Sequence, residues 1–225
     1  MKGLLIKDFK LMKNQKQFFL VLIFIGLVFL MTQNSPYMAI GYATVMVSMF
    51  TITTLSYDEI DNGNAYLFTL PFDRKEYVRE KYMFGLMTCL AGLIVSVNLG
   101  VAVSFVKRQV LAMPMEFEWT SIGVISLVAI TMCIYFLAVA IPVEIKLGVE
   151  KGRMGFLLIM VLFFIGYYLI LMVVEKISGR NPLEFIGKIM HLHVGAIAGI
   201  LIATWIVVCG ISILVSTYII GRKEY

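Results

Sequence analysis

Residues Ser121–Val143 read SIGVISLVAITMCIYFLAVAIPV, an unbroken stretch without Asp, Glu, Lys or Arg. A helix crossing ~30 Å of hydrocarbon at ~1.5 Å per residue needs about 20 mostly apolar residues, so this stretch predicts a membrane span. Five further stretches of the same kind are Gln17–Thr32, Tyr37–Ser56, Tyr82–Val106, Met154–Val174 and Val194–Ile220. The first of these is the shortest, its purely apolar part being Phe18–Met31. It crosses only with Lys16 snorkelling and Thr32–Ser35 at the interface. The connection Gln33-Asn34-Ser35-Pro36 is tight and predicts an antiparallel hairpin of the first two spans. The fold class expected is all-α integral membrane, with six transmembrane helices.

Composition agrees. Of 225 residues, 60% are apolar and the mean hydropathy is +0.92, whereas soluble domains sit near about 45–50% apolar. The formal net charge is +5. The Lys and Arg residues fall between apolar runs rather than on one basic face, which excludes a nucleic-acid binder. They serve better as topology signals and as contacts to anionic headgroups. Fourteen of them lie in the N-terminal tail, the second and fourth loops and the C-terminus, against five in the alternate set. The positive-inside rule then puts both termini in the cytoplasm. Cys89, Cys133 and Cys209 lie in separate apolar runs, so no disulfide framework is expected. No cleavable signal peptide is expected either. The stretches between spans are too short to bury a core, so residues 1–225 read as one transmembrane domain.

No Gly-rich phosphate loop occurs, so no cofactor is expected on this chain. His191 and His193 lack an accompanying Cys or carboxylate cluster and read as interfacial residues rather than metal ligands. No nucleophile–base pair is apparent, so the chain is not expected to be an enzyme. The predicted spans contain no Asp, Glu, Lys or Arg. That argues against coupling to an ion gradient, which usually requires an ionisable group at mid-membrane. Thr51, Thr54 and Asn98 are the candidate path-lining residues. Asn98 has a second reading, a hydrogen bond to a neighbouring helix.

Three polar stretches remain. In Met1–Gln17, Leu4, Leu5, Ile6, Phe9, Leu11 and Met12 alternate with lysines at helical spacing, predicting a basic amphipathic helix on the inner surface. Residues 57–80 form the second: Tyr57, then Asp58, Glu59, Ile60, Asp61, Asn62, Gly63, Asn64, Ala65, Tyr66, Leu67 and Phe68, then Leu70-Pro71. Ile60, Leu67, Phe68 and Leu70 need cover from a partner protein or the membrane surface. Asp73 and Glu76 have the spacing of an N-cap and its N3 partner, so a new helix is predicted from Asp73. In the third stretch, Glu175–His193, Asn181-Pro182-Leu183-Glu184 predicts a short helix on the outer side.

Six spans, a basic amphipathic start and the loop Tyr57-Asp58-Glu59…Leu70-Pro71…Arg74-Lys75-Glu76-Tyr77 together resemble the ABC permeases of the second exporter class. The chain is similar in particular to small bacterial permeases that carry no ATPase domain, the group that includes the exporter of phenol-soluble modulins. The resemblance implies a cytoplasmic ABC ATPase in two copies, holding ATP and Mg, and a second permease chain, identical or paralogous. It implies that residues 1–17 are an elbow helix, that Asp58–Phe68 is the coupling helix docking the ATPase, and that 175–193 holds short extracellular helices. It further implies export of hydrophobic or amphipathic cargo, such as peptide toxins or antimicrobial peptides, across a bacterial cell membrane. The alternative is a membrane sensor or scaffold that docks a cytoplasmic partner through the same loop.

Overall fold

The computed structural model describes residues 2–60, 63–109, 118–178 and 194–223. They form helices α1 (Lys2–Asn14), α2 (Lys16–Thr32), α3 (Tyr37–Glu59), α4 (Gly63–Leu67), α5 (Arg74–Gln109), α6 (Trp119–Ser178) and α7 (Val194–Arg222), with no strand among the described residues. The predicted outer helix at Asn181–Glu184, His191, His193, Asp61 and Asn62 lie outside the described residues.

The amphipathic N-terminus folds as α1, which turns by 63° into α2 at Gln15. Leu4 and Asp8, one turn apart, face inward, and the Phe9 ring meets Phe84 of α5 edge-on at 5.2 Å. The α2–α3 turn falls at Gln33–Pro36, as the hairpin reading expects. There the last carbonyls of α2 lack helical partners. Lys107, near the end of α5, supplies them: its buried ammonium donates to the carbonyls of Leu30 (3.0 Å), Met31 (3.3 Å) and Gln33 (3.1 Å). A cation at a helix C-terminus also complements the macrodipole.

The helix α6 is broken at Gly148, where φ is +76°. A side chain is disfavoured there on two counts. The left-handed backbone is strained for any residue with a Cβ, and a Cβ would lie 2.5 Å from Glu59 Oε1. This break stands where the sequence predicts a loop between the fourth and fifth spans.

Four helices are long and apolar enough to cross a membrane: Tyr37–Glu59, Arg74–Gln109, Trp119–Gly148 and Gly199–Arg222. The bent pair α1–α2 makes a fifth. Of the six spans expected, four or five are therefore counted among the described residues. α2 has only 17 residues and counts only together with α1. The predicted span Met154–Val174 continues α6 beyond Gly148, where most side chains lie outside the described residues.

The helix α3 packs between α5 and α6, and α7 closes on α5 and α6. Gly92 lets α5 approach α3 closely, since a Cβ there would lie 2.9 Å from that of Val47. Hydroxyls tie the helices together: Thr44 to Ser96 at 3.1 Å, and Tyr82 to Ser212 and Ser216 at 2.5 and 3.0 Å. The outward faces carry large apolar groups such as Phe24, Ile94, Ile206 and Leu214, as a bilayer solvent allows. At the end of the bundle that bears α1 and α4, Leu55, Tyr77, Val78, Tyr82, Ile141 and Ile220 form a shared core.

Candidate functional site

The stretch after α3 folds as a short helix and a tight turn. Ile60 leaves α3 in an extended conformation, and α4 follows from Gly63 to Leu67. The turn then closes through backbone bonds from Thr69 to Tyr66, Leu70 to Leu67 and Phe72 to Leu70. The carbonyl of Asp73 accepts the amides of Glu76 and Tyr77, which starts α5 where the capping pattern predicts.

This unit has two sides. Leu67, Phe68 and Phe72 pack onto the shared core, and the Phe68 ring meets Tyr77 edge-on at 5.5 Å. The Arg74 guanidinium stands 5.6 Å over Phe68 and donates to the carbonyls of Ile220 (3.0 Å) and Lys223 (2.9 Å), fastening the end of α7 to the same place. On the other side Tyr66 is 74% exposed, Ile60 51% and Leu70 42%.

Behind α4 lies a buried ionic cluster. Lys81, fully buried, places its ammonium 2.5 Å from Asp8 Oδ2 and 2.8 Å from Asp58 Oδ2, and donates to Thr54 Oγ1 at 3.2 Å. Lys7 pairs with Asp58 Oδ1 and lies 3.2 Å from Asp8 Oδ1. Tyr77 donates to Asp58 Oδ2 at 3.1 Å. Glu80, also fully buried, is 3.9 Å from Lys81, and its carboxyl oxygens make no hydrogen bond among the described residues. The cluster thus joins α1, the end of α3 and the start of α5, directly at the root of α4. Interior charges interact far more strongly than surface ones, and each helix here carries a charge whose partner lies on another helix.

The expected docking residues divide accordingly. Asp58 is turned into the cluster and Leu67 and Phe68 into the core. Glu59 lies 3.5 Å from the Lys223 ammonium. Gly63 and Asn64 are half-buried, and Ala65, Tyr66 and Ile60 are open. Of the expected path-lining residues, Thr51 and Thr54 are neighbours and Asn98 stands apart from them. Thr51 and Thr54 are fully buried between α3 and α5, with Thr51 Oγ1 3.4 Å from Thr88 Oγ1 and Thr54 donating to the Thr51 carbonyl at 2.8 Å. Asn98 lies exposed on α5 and donates within its own helix, to Ile94 at 2.6 Å.

Sequence reasoning missed the cluster, and it missed Glu144 of α6, which is buried and accepts from Ser56 at 2.9 Å. Lys81, Lys107 and Glu144 each stand one residue beyond a predicted span, so the spans looked uncharged while their ends hold buried charge. Asp8 had one available signal. It is the lone acid among the lysines of the tail, four residues after Leu4 and four before Met12, on the apolar stripe of the helix.

Residues 3–221, nearly the whole chain, match the family model described as ABC-2 family transporter protein. The chain belongs to the ABC-2 transporter family. Comparison with curated proteins and with solved structures found no match. As an ABC-2 protein it is the membrane permease component of an ABC transporter, a multi-pass membrane protein whose partner is an ABC ATPase subunit. Among the described residues no group of three or more His, Cys, Asp or Glu is placed to hold a metal ion.

Proposed function

We propose that this ABC-2 permease docks its ATPase through the open side of α4 and exports hydrophobic or amphipathic cargo, amphipathic peptides among them, from a bacterial cell. The observation that carries the docking assignment is the pairing of exposed Tyr66, Ile60 and Leu70 with a rigid backing. A partner that presses on Tyr66 loads Phe68 and Tyr77, and through Tyr77 the Asp58–Lys81 pair that holds α1, α3 and α5. The distribution of Lys and Arg supports a cytoplasmic position for this end of the bundle.

In this account two permease chains stand over two ATPase subunits, which hold ATP and Mg. α1 acts as the elbow helix and α4 as the coupling helix. Closure of the ATPase dimer pushes α4, and the ionic cluster passes the motion to three helices together. For ATP to drive the change, the ATPase must bind the two permease conformations with different affinity. The absence of charge from the middle of the spans favours cargo that is itself apolar or amphipathic.

Reconstitution tests the proposal. With the ATPase subunit present, amphipathic helical peptides should stimulate ATP hydrolysis several-fold in proteoliposomes. Stimulation by hydrophilic solutes alone would refute the cargo assignment, and failure of any ABC ATPase to associate would refute the docking assignment.

A further inference from the structure

A second feature lies on the membrane face, away from α4. A cleft of about 240 Å³ runs between α2, α3 and α5, lined by residues from Phe19 to Leu30 on α2 and by Ala43, Val47 and Gly92 opposite. Its one hydroxyl, that of Ser96, is already committed to Thr44 and to the Leu93 carbonyl. The cleft therefore offers no hydrogen-bonding group to a polar ligand. At one end it shares Met12, Phe19 and Ile23 with a surface groove edged by Lys13 and Lys16. The 63° turn between α1 and α2 is what brings these two lysines to a common mouth. Both are exposed, and neither pairs with an acid among the described residues.

We infer that this site holds an anionic phospholipid, one acyl chain in the cleft and the phosphate between Lys13 and Lys16. Length fits: Phe19 to Leu30 spans about 16 Å at ~1.5 Å per residue, about half of a ~30 Å hydrocarbon core and hence one leaflet. Chemistry fits as well. An apolar slot with a doubly cationic mouth at the interface matches an apolar tail with an anionic head. A second copy of this chain carries a net charge of +5 and on balance does not complement a cationic mouth. Leaving the slot empty would forfeit the dispersion contacts of its lining. Transfer of the acyl chain from bilayer to cleft is close to neutral, so selectivity resides in the headgroup. Each lysine near the surface contributes about fivefold to anion affinity, and the two together about thirtyfold.

The test is native mass spectrometry of the full chain extracted from vesicles of equal phosphatidylglycerol and phosphatidylcholine. The wild type should retain phosphatidylglycerol over phosphatidylcholine by about thirtyfold. The Lys13→Gln/Lys16→Gln double variant, altered only on the surface, should bring the two lipids near parity. Gly26→Leu should lower retention of both, because Gly26 lines the cleft and nothing lies within 4 Å of a Cβ placed there, so a larger side chain enters the slot at that point. Equal retention by the wild type, or an unchanged preference in the double variant, would overturn the inference. So would Gly26→Leu dissociating an oligomer while leaving bound lipid unchanged, which would assign the cleft to a second copy.

Discussion

The Lys81 ammonium of α5 and the Asp58 carboxylate at the end of α3 lie 2.8 Å apart, beneath the short helix α4. Asp8 of α1 contacts the same ammonium from the other side. Three helices that are distant in sequence thus share one buried cation. Removing it leaves two carboxylates buried without their main partner, which costs about 3–5 kcal/mol. Lys81→Met should therefore lower the thermal unfolding midpoint of the purified chain markedly. Lys81→Met combined with Asp8→Asn should cost less than the two single losses added, because the pair is coupled. Additive losses would show that the two groups do not interact.

A different end of the bundle depends on Lys107. Its three bonds to the carbonyls closing α2 involve a charged donor, so Lys107→Met should cost about 2–3 kcal/mol, since the carbonyls lose a charged partner. Hydrogen exchange should rise in the last turn of α2 and in the turn to α3, while the Lys81 cluster stays protected. Uniform loosening of the chain would contradict this local role.

The break in α6 supplies a backbone test. Gly148→Ala forces a Cβ into a left-handed conformation and against the Glu59 carboxylate. The expected loss is about 1–3 kcal/mol, read as a fall in thermal midpoint. Gly199→Ala serves as control, because nothing lies within 4 Å of a Cβ at that helical position.

Much of this architecture is legible in the sequence, and the reason is local. A span announces itself by a continuous apolar run, a hairpin by Asn-Ser-Pro, and the start of α5 by Asp73 and Glu76. The same locality explains what escapes. Asp8 and Lys81 stand 73 positions apart, and no period links them. Lysines near span ends count equally as topology signals whether they face water, as Lys13 does, or lie fully buried, as Lys81 does. The stretch 57–80 is legible as a unit, but not which of its faces is open: Asp58, expected among the docking residues, is spent inside. Thr51 and Thr54 carry two readings in the sequence, since a hydroxyl in a span serves a path and a helix contact equally well, and their burial against α5 shows the helix contact.

The central claim is that the open face of α4 binds the ATPase. Tyr66 is 74% exposed, so Tyr66→Asp should change the stability of the permease by no more than about 0.5 kcal/mol. The measurement is copurification of the ABC ATPase subunit with the full-length permease, wild type against Tyr66→Asp, with the thermal midpoint recorded for each. The account predicts an ATPase that elutes with the wild type and is lost from Tyr66→Asp at an unchanged midpoint. An ATPase retained in full by Tyr66→Asp would contradict it.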